Sequence, residues 1–440
     1  MCFRVGTVYK NFPTKEEAKG IIMNFDPRRR TRTQQLSFKL ILMVSFIILL
    51  TLSSSRVEAQ EPSARITEIE AKVLQSFNHE KWLAGISNDA VDMYYLWPGI
   101  DGLLNLYEAT GKTEYVGYAI EYCQRYQSMG EDVNEDGYLD WYSRWIEGYS
   151  HHHVEWRAGD GVARTVALIL TDPRLSTYVE DGTELKNFLE KHIWEKWTGG
   201  YSNGGNSTNV THFIGRFGLI ALSLYQITGE QEYLSYVQTK GNQLKDALFL
   251  NDQGAYWWMV YTDKGGAVDV SHGGDTVNFI AEAFRLGLVF DEDDILRLIN
   301  TVKKNLWNGS LTTPDFRTYV DGTGDFGDLG YNQGGWIKLA QFDPELKDMY
   351  YKWLQGRRAS SHVEVHFHGN LTRSIRYSPF PSEGENIPGN DGTHLDLQIA
   401  LSILLEENHD PIIAARVNTD GNAVVDILDL QKIVNEVVGP

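Results

Sequence analysis

Cysteine is almost missing. The 440 residues carry two, Cys2 and Cys123, and only the second outlasts the loss of an N-terminal leader, so no intramolecular disulfide is expected and stability must come from packing and bound ions. Basic charge is also in deficit: 40 Lys and Arg stand against 59 Asp and Glu, a formal net charge of −19. The first sixty residues hold ten basic and four acidic side chains, so the rest of the chain carries about −25. Such a surface repels nucleic acid and anionic lipid, and an acidic substrate would need a local basic cluster. A membrane-length apolar run is absent as well. "LILMVSFIILLTL", Leu40 to Leu52, is thirteen residues long, comes after Lys39 and leads into "SSSRVEAQ", the order of a secretory signal cleaved after Ala59. The expected product is secreted, extracellular or periplasmic, with no membrane attachment after cleavage.

The chain is 42% hydrophobic, ample for a large core. Two segments 118 residues apart echo each other, "LNLYEATGKTEYVGY" from Leu104 and "LSLYQITGEQEYLSY" from Leu222. Each reads as an apolar helix, a Thr-Gly stop and an amphipathic helix. Comparable helix starts are marked by Gly102, Gly161, Gly215, Gly274, Gly335 and Gly392, at intervals of 59, 54, 59, 61 and 57. Amphipathic candidates lie between them, near 113–128, 183–197, 231–249, 293–306 and 344–355, with another from Arg65. Near-equal periods of this size indicate a repeated supersecondary unit. Six apolar helices alternating with six amphipathic ones predict an all-α (α/α)6 toroid of six helical hairpins, with a few β-hairpins in its loops. The domain expectation is a leader over 1–60, the toroid over 61–410 and a calcium segment over 411–440.

If the inner helices run in parallel, their N-termini share one funnel whose partial positive charge favours anions. "SHHHVEWRAGDGVAR" (150–164) supplies His152, His153, Glu155, Trp156, Arg157 and Asp160 to that funnel as substrate-binding candidates. Asp275 and Trp336 join them from later starts. Asn209, His212, Arg216, His272 and Tyr331 are the catalytic candidates.

Two loops have oxygen-ligand spacing. "DVNEDGYLD" offers Asp132, Asn134, Asp136, the Tyr138 carbonyl and Asp140 around the turn at Gly137, a pattern suited to structural Ca2+. Near the C-terminus, Asn418, Asp420, Asn422, the Val424 carbonyl, Asp426 and Asp429 repeat it and run into a short helix. This last segment, through "VVDILDLQKIVN", resembles half of a type I dockerin, the module that attaches polysaccharide-degrading enzymes to cohesin scaffolds. The resemblance implies a cohesin-type partner, although Ala423 replaces a glycine and no second half is found. Upstream, "SSHVEVHFHGN" alternates like a strand, placing His362, Glu364, His366 and His368 on one face as a polar wall or, less in keeping with the spacing, a zinc row.

The chain has 53 aromatic residues, and Trp141, Trp145, Trp156, Trp257, Trp258 and Trp336 fall at or before helix starts. Indole faces suit sugar rings, so a polysaccharide is the expected ligand. The Asn209, His212, Arg216, His272 and Tyr331 set resembles, in architecture and residue type, the sites of toroidal alginate and related uronate lyases. That resemblance implies β-elimination, with Asn and Arg neutralising a uronate carboxylate while His and Tyr move protons. The alternative on the same toroid is an inverting glycoside hydrolase, which needs two carboxyl groups roughly 6.5 to 9.5 Å apart; Asp101, Glu155, Asp160 and Asp275 are its candidates. A third reading is a non-catalytic glycan-binding or scaffold component.

Overall fold

The computed structural model describes residues 64–199, 209–327, 332–357 and 361–377, all within the unit Pro62–Pro440. Helices account for nearly all of the regular structure. The inner set is α3 (Ala90–Thr110), α5 (His152–Thr171), α8 (Thr211–Thr228), α10 (Val270–Arg285), a 3₁₀ helix (Gly334–Gln341) and α13 (His362–Arg376). The outer set is α1 (Ala64–Ser76), α4 (Glu114–Ser128), α6 (Val179–Leu189, extended by a π-turn and α7, Lys196–Gly199), α9 (Gln231–Asp246), α11 (Glu292–Asn300, also ending in a π-turn) and α12 (Pro344–Gln355). A short α2 (His79–Ala84) joins the first outer helix to the first inner one. Each inner helix packs on the next, and α13 returns to α3, closing a ring of six.

This is the expected (α/α)6 toroid, built for the expected reason. Inner helices are apolar on nearly every side, as along α3 from Leu96 to Tyr107, while outer helices bury one stripe. The Thr-Gly stops end their helices as expected: Gly111 (φ 75°) and Gly229 (φ 69°) take the left-handed conformation, each returning its N–H to a carbonyl of the last turn. Two antiparallel pairs of two residues each decorate the loops, β1–β2 (Tyr142–Ser143 with Gly148–Tyr149) and β3–β4 (Phe249–Leu250 with Tyr256–Trp257).

Three expectations need correction. Gly102, Gly161, Gly215 and Gly274 lie inside the inner helices rather than at their starts, whereas Gly335 does open the 3₁₀ helix. They recur because the ring is tight: a Cβ on Gly369 would overlap the Gly102 carbonyl, and one on Gly335 the Gly274 carbonyl. The alternating His362–His368 stretch is helix α13, not a strand. Ser361 and Glu364 close a capping box at its start, and this local bonding outweighs a period-two pattern. Consequently His366 and His368 point to different partners and form no metal row. The sixth inner helix is therefore α13, and the segment around Gly392 lies outside the described residues, as does the calcium segment 411–440. Among the described residues no helix is long and apolar enough to cross a membrane.

Candidate active site

Parallel inner helices bring their N-termini to one mouth. Asp89 caps α3 by accepting the Val91 N–H at 3.0 Å, which sets Tyr94 and Tyr95 on the rim. The β1–β2 turn carries Trp145 over them. Glu147, in that turn, and Ser150, just past β2, hold φ of 50° and 62°, a costly backbone for residues with a Cβ and typical of functional loops. The Trp145 ring lies 4.7 Å from Tyr94 and 6.0 Å from His153. Trp145 is 42% exposed and Tyr95 52%, so an aromatic face is open to solvent where a sugar could stack.

Beneath it is a buried ionic floor. Asp275 Oδ2 accepts from Arg216 Nε at 2.7 Å and from Arg157 Nη1 at 3.1 Å. Burial alone would raise the Asp275 carboxyl, but the two guanidiniums outweigh it and hold it ionised. Both arginines also sit over the Tyr94 ring, at 4.5 and 5.3 Å, and against burial they lower its phenol. Arg216 Nη1 meets His153 Nδ1 at 2.9 Å. Burial first, then Arg216, drives His153 and His212 far below the ordinary histidine range, so both rings are neutral. His272 bonds Asp269 Oδ2 through Nδ1 at 2.5 Å and lies 4.3 Å from the His212 ring; despite burial, that hydrogen bond helps hold Asp269 at about 2.

Deeper by one turn of α5, Asp160 is in the opposite state. It is 4% exposed and its Oδ2 has no partner among the described residues. Burial, reinforced by the negative charge of Asp101, raises it well above the carboxylate range, so it carries a proton. Asp101 is ionised: the Lys338 charge and the hydrogen bond with His366 Nε2, 2.9 Å away, overcome its burial.

Not every expected site residue reaches this place. Asn209 is exposed and accepts from Gln243 of outer helix α9 at 2.9 Å. Glu155 is fully buried against Lys196 Nζ and Trp197 Nε1, each at 2.9 Å, and cannot touch substrate. Trp156 packs on Phe217 and Trp197 in the core. Trp336 is fully buried, stacked on Trp258 and bonded to the Val270 carbonyl. His152 leans on Trp156 and Trp197. Tyr331 lies outside the described residues. Tyr94, Tyr95 and the partnership of both arginines with Asp275 were missed; the signal for the first two was the "YY" just after the Asp89 cap.

The Asp132 loop has Gly137 at φ 87°, with Asp132 accepting the Asp136 and Gly137 N–H groups. Asp140, however, turns inward to Lys196 Nζ at 2.8 Å. Among the described residues no three acidic, histidine or cysteine side chains converge on one point. The second calcium loop, Asn418 to Asp429, lies outside them.

No protein-family model and no curated protein matches the chain. Solved structures that resemble it are of the GH76A alpha-1,6-mannanase from Salegentibacter sp. HEL1_6. An inactive variant with alpha-1,6-mannotetrose is 17% identical with a TM-score of 0.39, covering 64% of this chain and 88% of that one. An inactive variant with alpha-1,6-mannotriose gives 17% and 0.38, over 65% and 89%. A structure of the mannanase itself gives 17% and 0.37, over 64% and 88%. Identity and TM-scores this low carry nothing about chemistry. The uronate-lyase resemblance is nonetheless corrected. The elimination set does not assemble: Asn209 faces an outer helix, and Arg216 is already neutralised by Asp275. The dockerin resemblance gains no support, since no family model matches.

Proposed function

We propose that the chain is a glycoside hydrolase that seats its glycan on the Tyr94, Tyr95 and Trp145 face and cleaves it with two carboxyl groups. Asp160 is the proton donor to the leaving oxygen. Asp275 is the ionised partner, and its Oδ1, which no described residue bonds, activates a water on the other side of the sugar. The single observation behind this reading is a contrast in partners: in one buried cluster Asp275 is bonded by two guanidiniums, which hold it ionised, while Asp160 Oδ2 has no partner among the described residues and burial keeps that carboxyl protonated. Paired groups pushed apart in this way are the usual basis of acid and base roles. His153, Arg157 and His272, all only partly buried, then edge the sugar site, while Arg216 holds Asp275 in place, and no cradle for a uronate is needed.

The test is a panel of neutral and acidic polysaccharides, mannans included, read by reducing ends, by ultraviolet absorbance and by the anomeric signal of the first product in proton NMR. The reading expects new reducing ends without unsaturated product, inversion at the anomeric carbon, and loss of turnover in Asp160→Asn with the fold retained. An active Asp160→Asn enzyme overturns it. Export through the Leu40–Leu52 segment, and Ca2+ at the Asp132 loop, belong to the same proposal: a secreted glycan-degrading enzyme stabilised by ions in place of disulfides.

A further inference from the structure

The end of the ring where the inner helices finish holds a cavity of about 260 Å³. Glu108, Thr171, Gln226 and Arg285 line it from the last turns of their helices, so it lies away from the aromatic mouth. Exposed Arg174 and Tyr377 mark where it meets the surface.

Its walls are charged, yet the charges consume one another. Glu282 takes Lys338 Nζ at 2.9 Å, Arg285 Nε at 2.8 Å and Arg164 Nη1 at 3.4 Å. Arg164 also bonds Glu108, and Arg174 Nε meets Asp172 at 2.9 Å. Each of the four lining cations is thus engaged by Glu282, Glu108, Asp172 or Asp101, and buried Arg373 shares Glu108 and Glu282 with them. An ionic ligand would have to break buried pairs, which costs more than such a ligand returns.

Two polar atoms stand outside this exchange. Asp160 Oδ2 and Asn278 Oδ1 have no partner among the described residues, and their residues, which line the cavity, are 4% and 3% exposed. Buried polar atoms without partners are expensive unless water or a ligand meets them. One belongs to a protonated carboxyl, which donates; the other only accepts. A hydroxyl, donor and acceptor at once, suits both. Leu168, Leu219 and Leu222 add an apolar part to the lining. The volume falls just under the range of about 300–1,000 Å³ usual for drug-sized ligands, which fits one sugar ring and not a chain.

We infer that this cavity is a binding site for a single neutral monosaccharide or similar polyol, separate from the mouth where the glycan is held. The inference needs only the cavity and not the hydrolase reading. One consequence does rest on that reading: a sugar bonded to Asp160 ties up the proton of the acid, so occupancy slows turnover without competing for the mouth.

The experiment measures binding, not activity. Glucose, mannose and inositol are titrated by calorimetry and saturation-transfer NMR into the wild type, Gln226→Trp, Asn278→Leu and Trp145→Ala, with glucuronate and glucosamine as charged comparisons and circular dichroism as the check on folding. At least one neutral probe binds saturably, about tenfold more weakly in Gln226→Trp and Asn278→Leu, and unchanged in Trp145→Ala. Three outcomes overturn the inference: no saturable binding to the wild type, binding lost in Trp145→Ala but kept in Gln226→Trp, or charged sugars binding as well as neutral ones. Gln226 is only half-buried in the last turn of α8, so that variant keeps the test open should Asn278→Leu fail to fold.

Discussion

Arg216 Nε and Asp275 Oδ2 lie 2.7 Å apart inside the ring, in residues 1% and 5% exposed. Two guanidiniums share this one carboxylate, so removing it strands two buried cations. Asp275→Asn should cost about 3–5 kcal/mol of stability and abolish turnover, while Asp275→Glu should recover part of the fold. Urea midpoints with residual activity check this; a fully stable Asp275→Asn protein contradicts the paired-floor geometry.

Trp145 touches the proposed glycan and not the reacting bond. Trp145→Ala should weaken binding by about 0.5–1.5 kcal/mol, a rise in KM of roughly two- to thirteenfold, with kcat largely kept. Steady-state kinetics on the best substrate of the panel decide it. A collapse of kcat at unchanged KM would move the aromatic face out of the binding role.

Glu155 gives a pH signature. Lys196 already has Asp140 at 2.8 Å, and burial pushes the Glu155 carboxyl up to about 7 from an ordinary 4.5. Below the ordinary value both folded and unfolded chains are protonated there. As pH rises toward 7 the unfolded chain releases the proton first, so folded stability declines across that window. Glu155→Gln should remove this share of the decline, seen as a smaller drop in urea midpoint between about pH 5 and pH 8. An identical drop in both proteins sinks the assignment.

Calcium at the Asp132 loop predicts a melting temperature that rises with added CaCl2 and falls with chelator. Ligand at a hundredfold excess over Kd is worth about 2.7 kcal/mol. Asp132→Ala should lose the response. A wild type indifferent to both additions removes calcium from this loop.

The six-hairpin ring was legible because its signals are local: apolar helices, amphipathic helices and glycine stops recur at one period. Register was less so. Gly102 and Gly274 mark contacts between helices, and contact glycines look like start glycines when only one strand of sequence is read. His362 to His368 mislead because their period of two masks Ser361 and Glu364, whose spacing of three already announces a helix. In the site, residue types were visible and pairings were not. Arg216 and Asp275 are 59 residues apart, and nothing along the chain says that each is the other's counterion. Glu155 failed for the same reason, since Lys196 lies 41 residues further on, at the far end of the outer helix that follows α5.

The contact between Gly102 and Gly369 joins the first and last members of the ring. Until the ribosome has delivered position 369, helix α3 has an apolar flank with nothing to cover it, and five-sixths of a ring offers two sticky edges to its neighbours. Synthesis of this protein therefore carries a long vulnerable interval that ends with one late docking event. Chains cut short before α13 should accumulate as aggregates and not as smaller soluble folds.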